Sequence, residues 1–138
     1  MKPMPMPKYL LVLLLLCLAQ TAIGQPTLRQ QFDNTQLADS ARLDALVRHA
    51  YRLYAQDSAK ALLTYDTAIN LAQQWKQPAM AVTASNSRSL LLTNYGHYAQ
   101  AHVFWQQSLA LADKLNQAAG KGNAMFGTGL NWYYQQQY

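Results

Sequence analysis

Side chains able to do chemistry are few in this chain and stand far apart. Three histidines, His49, His97 and His102, are accompanied by six aspartates, no glutamate and one cysteine, Cys17. A structural or catalytic metal site needs three or four such ligands converging at defined geometry. His97 and His102 fall on either side of a turn and a helix start, at a spacing that shares no helix face. Beyond Cys17 there is no thiol, which excludes disulfides, thiolate metal sites and cysteine catalysis there. Serine, histidine and aspartate are scattered singly, with no strand–turn–helix elbow to activate a hydroxyl. Gly120-x-Gly122 and Gly127-x-Gly129 follow no strand, so neither is a phosphate loop; the second pair is read as a place of close helix packing. The chain is therefore read as no enzyme, with no catalytic residue, no metal, no cofactor and no small-molecule substrate. What remains is the chemistry of binding. Asparagine amides both donate and accept, which suits them to the N–H and C=O groups of an extended peptide.

The elements that would position such groups begin after a leader. Lys2 and Lys8 precede an unbroken apolar run from Tyr9 to Ala19, and Ala22-Ile23-Gly24 places small residues where a signal peptidase reads. Residues 1–24 are expected to be a secretory signal cleaved before Gln25. An uncleaved anchor is the alternative, although the run is about half of the ~20 residues a bilayer span needs. A lipoprotein is disfavoured, because Leu14-Leu15-Leu16 precedes Cys17 where a small residue is required. The expected location is a bacterial periplasm. Loss of Lys2 and Lys8 takes the 11 basic residues to nine against six aspartates. That small excess is scattered over several helices, which excludes a nucleic-acid footprint.

The 138-residue chain has room for one folded domain. Residues 25–36 are polar, contain Pro26, and are read as a linker. From residue 37 onward the apolar positions recur at three and four, the helical period. A first helix is expected over Leu37–Ala55, carrying Leu43, Leu46, Val47, Ala50, Leu53 and Tyr54 on one face. Asp57-Ser58 is read as the cap of a second helix, Pro78 as the first turn of a third that stops at Gly96. A fourth runs from Tyr98 or Ala99 to about Asn116. The glycines of Ala118-Ala119-Gly120-Lys121-Gly122 each disfavour helix by ~1 kcal/mol, so a turn is expected there before a fifth helix over Asn123–Tyr134. Short connections make consecutive helices antiparallel neighbours. The expected fold class is all-α, a stack of helix hairpins.

The sequence also repeats itself. Residues 61–72 align with residues 101–112, and residues 86–98 with residues 126–138, an offset of 40. Gly96-x-Tyr98-x-x-Ala101-x-x-x-Trp105-x-x-Ser108-Leu109 resembles the second-helix pattern of the tetratricopeptide repeat. Ala61, Tyr65 and Ala68 keep the same small–large–small order, in which small residues let helices approach and an aromatic fills the space beside them. Gly129 and Trp132 fall at the family's small and aromatic positions in a first helix. The resemblance spans about residues 41–138, at a longer period than the family's usual value of about 34. Arg88 departs from it, standing where the family expects a buried leucine, with Arg48 as its counterpart.

That resemblance implies a right-handed solenoid with repeats at about 37–77, 78–117 and 118–138, the last incomplete. It implies a concave face built by the first helix of each hairpin. Its groove positions fall on Thr83, Asn86, Leu90, Thr93 and Asn94 in one repeat, and on Asn123, Phe126, Leu130 and Tyr133 in the next. The expected partner is a protein or peptide, or further repeats of the same chain. The leading expectation is the periplasmic N-terminal part of a larger signal-transduction protein, resembling the regions that precede a membrane span in some histidine kinases and regulators. The alternatives are a self-contained periplasmic scaffold and the accessory repeats of an enzyme.

Overall fold

A computed structural model describes residues 26–137; the expected leader lies outside them. Among the described residues there are six helices and no strand: α1 Leu28–Asp33, α2 Asp39–Leu53, α3 Ser58–Gln74, α4 Pro78–Asn94, α5 Tyr98–Lys114 and α6 Ala118–Gln137. None is long and apolar enough to cross a membrane. Helices adjacent in sequence pack as pairs, and α2 also touches α4, as α4 touches α6.

The 40-residue sequence period resolves into two equal halves. A helix begins at each of Ser58, Pro78, Tyr98 and Ala118, and α3, α4 and α5 are all 17 residues long. These three helices also stop in the same way. Lys76, Gly96 and Asn116 take left-handed φ values of 55°, 77° and 54°. The next amide then turns back: Gln77 donates to the Ala72 carbonyl at 2.7 Å, His97 to Leu92 at 2.9 Å, and Gln117 to Ala112 at 2.9 Å. This closure satisfies carbonyls that a helix end would leave bare. Glycine adopts it at no steric cost; at Lys76 the Cβ makes it unfavourable by roughly 1 kcal/mol.

Helix starts are similarly legible. The Asp57 carboxylate accepts from the Lys60 amide at 2.9 Å, and Pro78 occupies a first turn where its missing N–H is no loss. Two expectations change here. The stretch read as a linker contains α1, started by a reciprocal cap: the Gln30 amide donates to Thr27 Oγ1 at 3.2 Å and the Thr27 amide to Gln30 Oε1 at 2.8 Å. Leu28 is buried, and Phe32 stacks on Trp75 with ring centres 6.3 Å apart. Arg42 lies over Trp75 and donates through Nε to the Phe32 carbonyl at 2.8 Å, which ties α1 to the stack. Secondly, the turn expected at residues 118–122 lies one step earlier, at Asn116-Gln117. Gly120 is helical because α6 crosses α4 too closely there for a side chain: a Cβ at Gly120 would collide with Val82.

Within the pairs the small–large–small stripes do the packing. Ala61, Tyr65, Ala68, Ala101, Trp105 and Ser108 are all buried in α3 and α5. Trp105 sits under α6, and a Cβ at Gly127 would strike its ring. The indole N–H donates to Thr93 Oγ1 at 3.1 Å, Thr93 donates to Asn131 Oδ1 at 2.9 Å, and Asn131 Nδ2 donates to the Tyr98 carbonyl at 3.0 Å. This chain joins α4, α5 and α6 with every member satisfied. Ser108 shares a 2.6 Å hydrogen bond with Ser85. By contrast Gly129 has open space around it and Trp132 is 49% exposed, its ring meeting that of His102 edge-on. The 40-residue offset maps them onto Ser89 and Leu92, which are buried because α5 covers them. No described helix covers the equivalent face of α6, so these two residues do not pack as the repeat pattern implied.

The two glycines should therefore answer oppositely to alanine. Gly127→Ala is expected to lose about 1–3 kcal/mol through overpacking against Trp105. Gly129→Ala, in open helical surface, should gain up to about 1 kcal/mol. Urea denaturation of both variants checks this; equal effects would contradict the packing given to Gly127.

Tyr65 supplies a second test. Its hydroxyl is buried with no partner, and burial pushes its pKa above the ordinary 10.0. Above pH 10 the unfolded chain ionises this phenol while the folded chain resists, so its contribution to stability is full below about pH 10 and is lost as pH climbs further. Tyr65→Phe should leave stability at pH 7 nearly unchanged and flatten the decline above about pH 10, measured by urea midpoints. An unaltered slope would refute the assignment.

Candidate functional site

A cleft of about 400 Å³ lies between α4 and α6. Both helices pack against α5, and the antiparallel order of α4, α5 and α6 makes α4 and α6 parallel to each other. Each contributes a row at helical spacing: Thr83, Asn86, Ser87 and Leu90 from α4, and Asn123, Phe126, Gly127 and Leu130 from α6. Trp105 of α5 closes the floor between the rows. The rows have the same polarity. The amide and hydroxyl groups lie toward the helix N-termini, with Gln117 beside them and Ala79, Val82 and Ala119 interspersed, while Leu90, Phe126 and Leu130 make the other end wholly apolar.

The width of the cleft is set by its glycines and one amide. Gly120 and Gly127 let α6 come down onto Val82 and Trp105. Asn86 then bridges the helices, its Nδ2 donating to the Gly120 carbonyl at 3.0 Å. Its Oδ1 is buried and has no partner. None of the residues lining the cleft is charged. Phe126 stands at the lip, 73% exposed.

Six of the nine residues projected onto the groove are brought together here: Thr83, Asn86, Leu90, Asn123, Phe126 and Leu130. The other three are not. Thr93 is buried and serves the Trp105–Asn131 chain instead, so it presents nothing to a partner. Asn94 is exposed at the end of α4, outside the cleft. Tyr133 is exposed and leans on Tyr134 at 5.7 Å, also outside it. The projection missed Trp105, Gln117, Gly120 and Gly127. Gly120 and Gly127 carried a usable signal, since each lies three or four residues from an expected groove residue; Trp105 reaches the cleft from another helix and could be assigned only to the core.

On the opposite side Arg88 is 6% exposed in the middle of the stack. Its guanidinium pairs with Asp66, donates through Nη2 to Gln107 Oε1 at 3.1 Å, and lies 4.0 Å from the centre of the Phe104 ring. Burial lowers its pKa, and the neighbouring Asp66 carboxylate opposes that shift. Arginine replaces the leucine of the repeat pattern because α3 and α5 supply an anion, an amide and an aromatic face around one position. Arg48, by contrast, is exposed: it pairs with Asp44 on its own helix at 2.8 Å and donates through Nη2 to Gln31 Oε1 of α1 at 3.5 Å.

The histidines remain apart. His97 meets the Tyr54 ring at 6.4 Å and His102 meets Trp132 at 5.3 Å, in different places. Among the described residues no group of three or more His, Cys, Asp or Glu side chains is placed to hold a metal ion. No protein-family model, curated protein or solved structure matches this chain.

The two asparagines of the cleft should separate structure from surface. Asn86→Ala removes the tie between α4 and the Gly120 carbonyl and is expected to lower stability by about 1 kcal/mol. Asn123→Ala, at an exposed site, should stay within about 0.5 kcal/mol. Equal urea midpoints for the two variants would show that Asn86 does not hold the cleft.

Proposed function

We propose that this chain is a tetratricopeptide-like repeat module whose cleft between α4 and α6 receives a protein or peptide partner. In this reading it is exported to the periplasm and forms the N-terminal part of a larger signal-transduction protein. The single observation that carries the binding role is the cleft itself: a preformed, uncharged concavity at the junction of two hairpins, with amides at one end and apolar side chains at the other. Stacked repeats characteristically bind along such concave surfaces. The helix pairs, the small–large–small stripes and the identical helix ends support the repeat architecture.

The uncovered face of α6 supports the larger assembly. Met125, Gly129 and Trp132 are exposed, whereas Ser85, Ser89 and Leu92 at the 40-residue offset are buried beneath α5. A further helix packed on α6 would give Trp132 the cover that Leu92 has. Export rests on Lys2, Lys8 and the apolar run from Tyr9 to Ala19.

A photo-activated cross-linking residue at Phe126 in the exported protein tests the binding role. A discrete adduct with a second protein is expected from Phe126 and not from Val103, another exposed apolar position, outside the cleft lining. No adduct at Phe126, or the same adducts from both positions, would sink the proposal.

A further inference from the structure

Resting on that reading, the geometry points to one class of partner: an extended, uncharged peptide segment that places a single large apolar side chain between Leu90, Phe126 and Leu130. Charge decides first. Of the 11 basic residues all but Lys2 and Lys8 are described, with all six aspartates, and none of the described ones lines this cleft. A carboxylate, phosphate or ammonium entering it would leave water without meeting a counter-charge, which is strongly unfavourable. A motif recognised through its charges is therefore excluded.

Polarity then fixes direction. The rows from α4 and α6 are parallel, so their polar and apolar ends coincide. At the apolar end a side chain is covered by Leu90, Phe126 and Leu130 above the Trp105 floor. At the other end the amides of Asn123 and Gln117, with the Thr83 hydroxyl, offer both donors and acceptors. A backbone supplies both types at every residue and needs both to be met once it leaves water. A purely apolar small molecule would fill one end and desolvate the amides at the other without replacing their hydrogen bonds. The volume agrees: about 400 Å³ lies near the lower limit of ligand cavities and accommodates one anchoring side chain with its flanking peptide groups. The anchor supplies affinity, and the amides orient the chain without reading its sequence.

The test uses the exported protein and capped heptapeptides Ser-Gly-Asn-X-Asn-Gly-Ser, with X as Phe, Leu, Ala, Asp or Lys, titrated to about 1 mM. Phe and Leu should bind, Ala should be weaker by roughly tenfold or more, and Asp and Lys should be weaker still. Ala119→Phe, which fills the cleft from an exposed position, should abolish binding of the Phe peptide while leaving the urea midpoint unchanged. Asn123→Ala should weaken all binding peptides by a similar factor.

Equal binding of Phe and Asp peptides would overturn the neutral-anchor inference. So would capped phenylalanine amide alone binding as tightly as its heptapeptide, which would make the cleft a small-molecule site. Absence of any peptide binding at the highest concentration would overturn it too. If Phe126 still cross-links to a protein in that case, the module stands and its partner is a folded surface; if it does not, both readings fall.

Discussion

The indole of Trp105 must be buried under three helices while its N–H still finds an acceptor. Most of the surrounding design follows from that demand. Burying a tryptophan gains a large apolar area, but an unpaired N–H in the interior would offset much of the gain. Thr93 supplies the acceptor, which requires α4 to end beside the ring. Thr93 in turn gives its proton to Asn131, and Asn131 closes the chain on the Tyr98 carbonyl at the start of α5. The ring is too large for α6 to pass unless glycine stands above it, hence Gly127. Register between three helices is thus fixed by one aromatic side chain and its hydrogen bond. A half-turn slip of α6 would put a Cβ on the ring and orphan Asn131 together.

The cleft is a by-product of the same constraint. Gly127 and Gly120 bring α6 onto α5 and α4 at its buried edge, leaving the outer rows of α4 and α6 facing each other across a gap. Core and proposed binding surface therefore share residues, with Trp105 as both the centre of the first and the floor of the second. Arg88 plays a complementary part on the other side. A guanidinium buried between α3 and α5 is tolerable only while Asp66, Gln107 and Phe104 surround it, so it selects the relative placement of those helices. Asp66 itself is half exposed, so the pair contributes little net stability, but leaving the buried guanidinium without its partners is costly.

Much of this order was legible in the sequence because it is written in periodic, local terms. Pro78, Gly96 and Asp57 mark helix ends by chemistry that needs no tertiary information. The offset between Ala61-x-x-x-Tyr65 and Ala101-x-x-x-Trp105 marks the packing stripes. The parts that were not legible depend on what lies opposite. Gly120 reads as a helix breaker by propensity, but its penalty of ~1 kcal/mol is outweighed where two helices touch at that point. Gly127 reads as a place of close packing, but the sequence does not name the Trp105 ring beneath it. Thr93 reads as a groove residue by projection, yet a hydroxyl 3.1 Å from a buried indole nitrogen is claimed by the interior. The α1 cap, Thr27-x-x-Gln30, was a local signal and was available to the sequence reading. It was hidden because six residues are too few to display an apolar period.

A repeat pattern assigns a residue to a position, but only the neighbouring helix decides what that position does. Ser89 and Gly129 occupy equivalent places, and one is buried while the other is open, solely because α5 covers α4 and no described helix covers α6 in that way. The same logic applies to the candidate site. Asn86 and Phe126 are equivalent by the 40-residue offset, yet Asn86 faces α6 and binds its backbone, whereas Phe126 reaches no equivalent neighbour and stands at the lip. Placing another helix-hairpin beside α6 would change the role of Phe126 from lip to wall, and would extend the cleft by one repeat. Binding in such an architecture is a property of adjacent pairs of hairpins, and one complete pair of rows, α4 with α6, is what these residues provide.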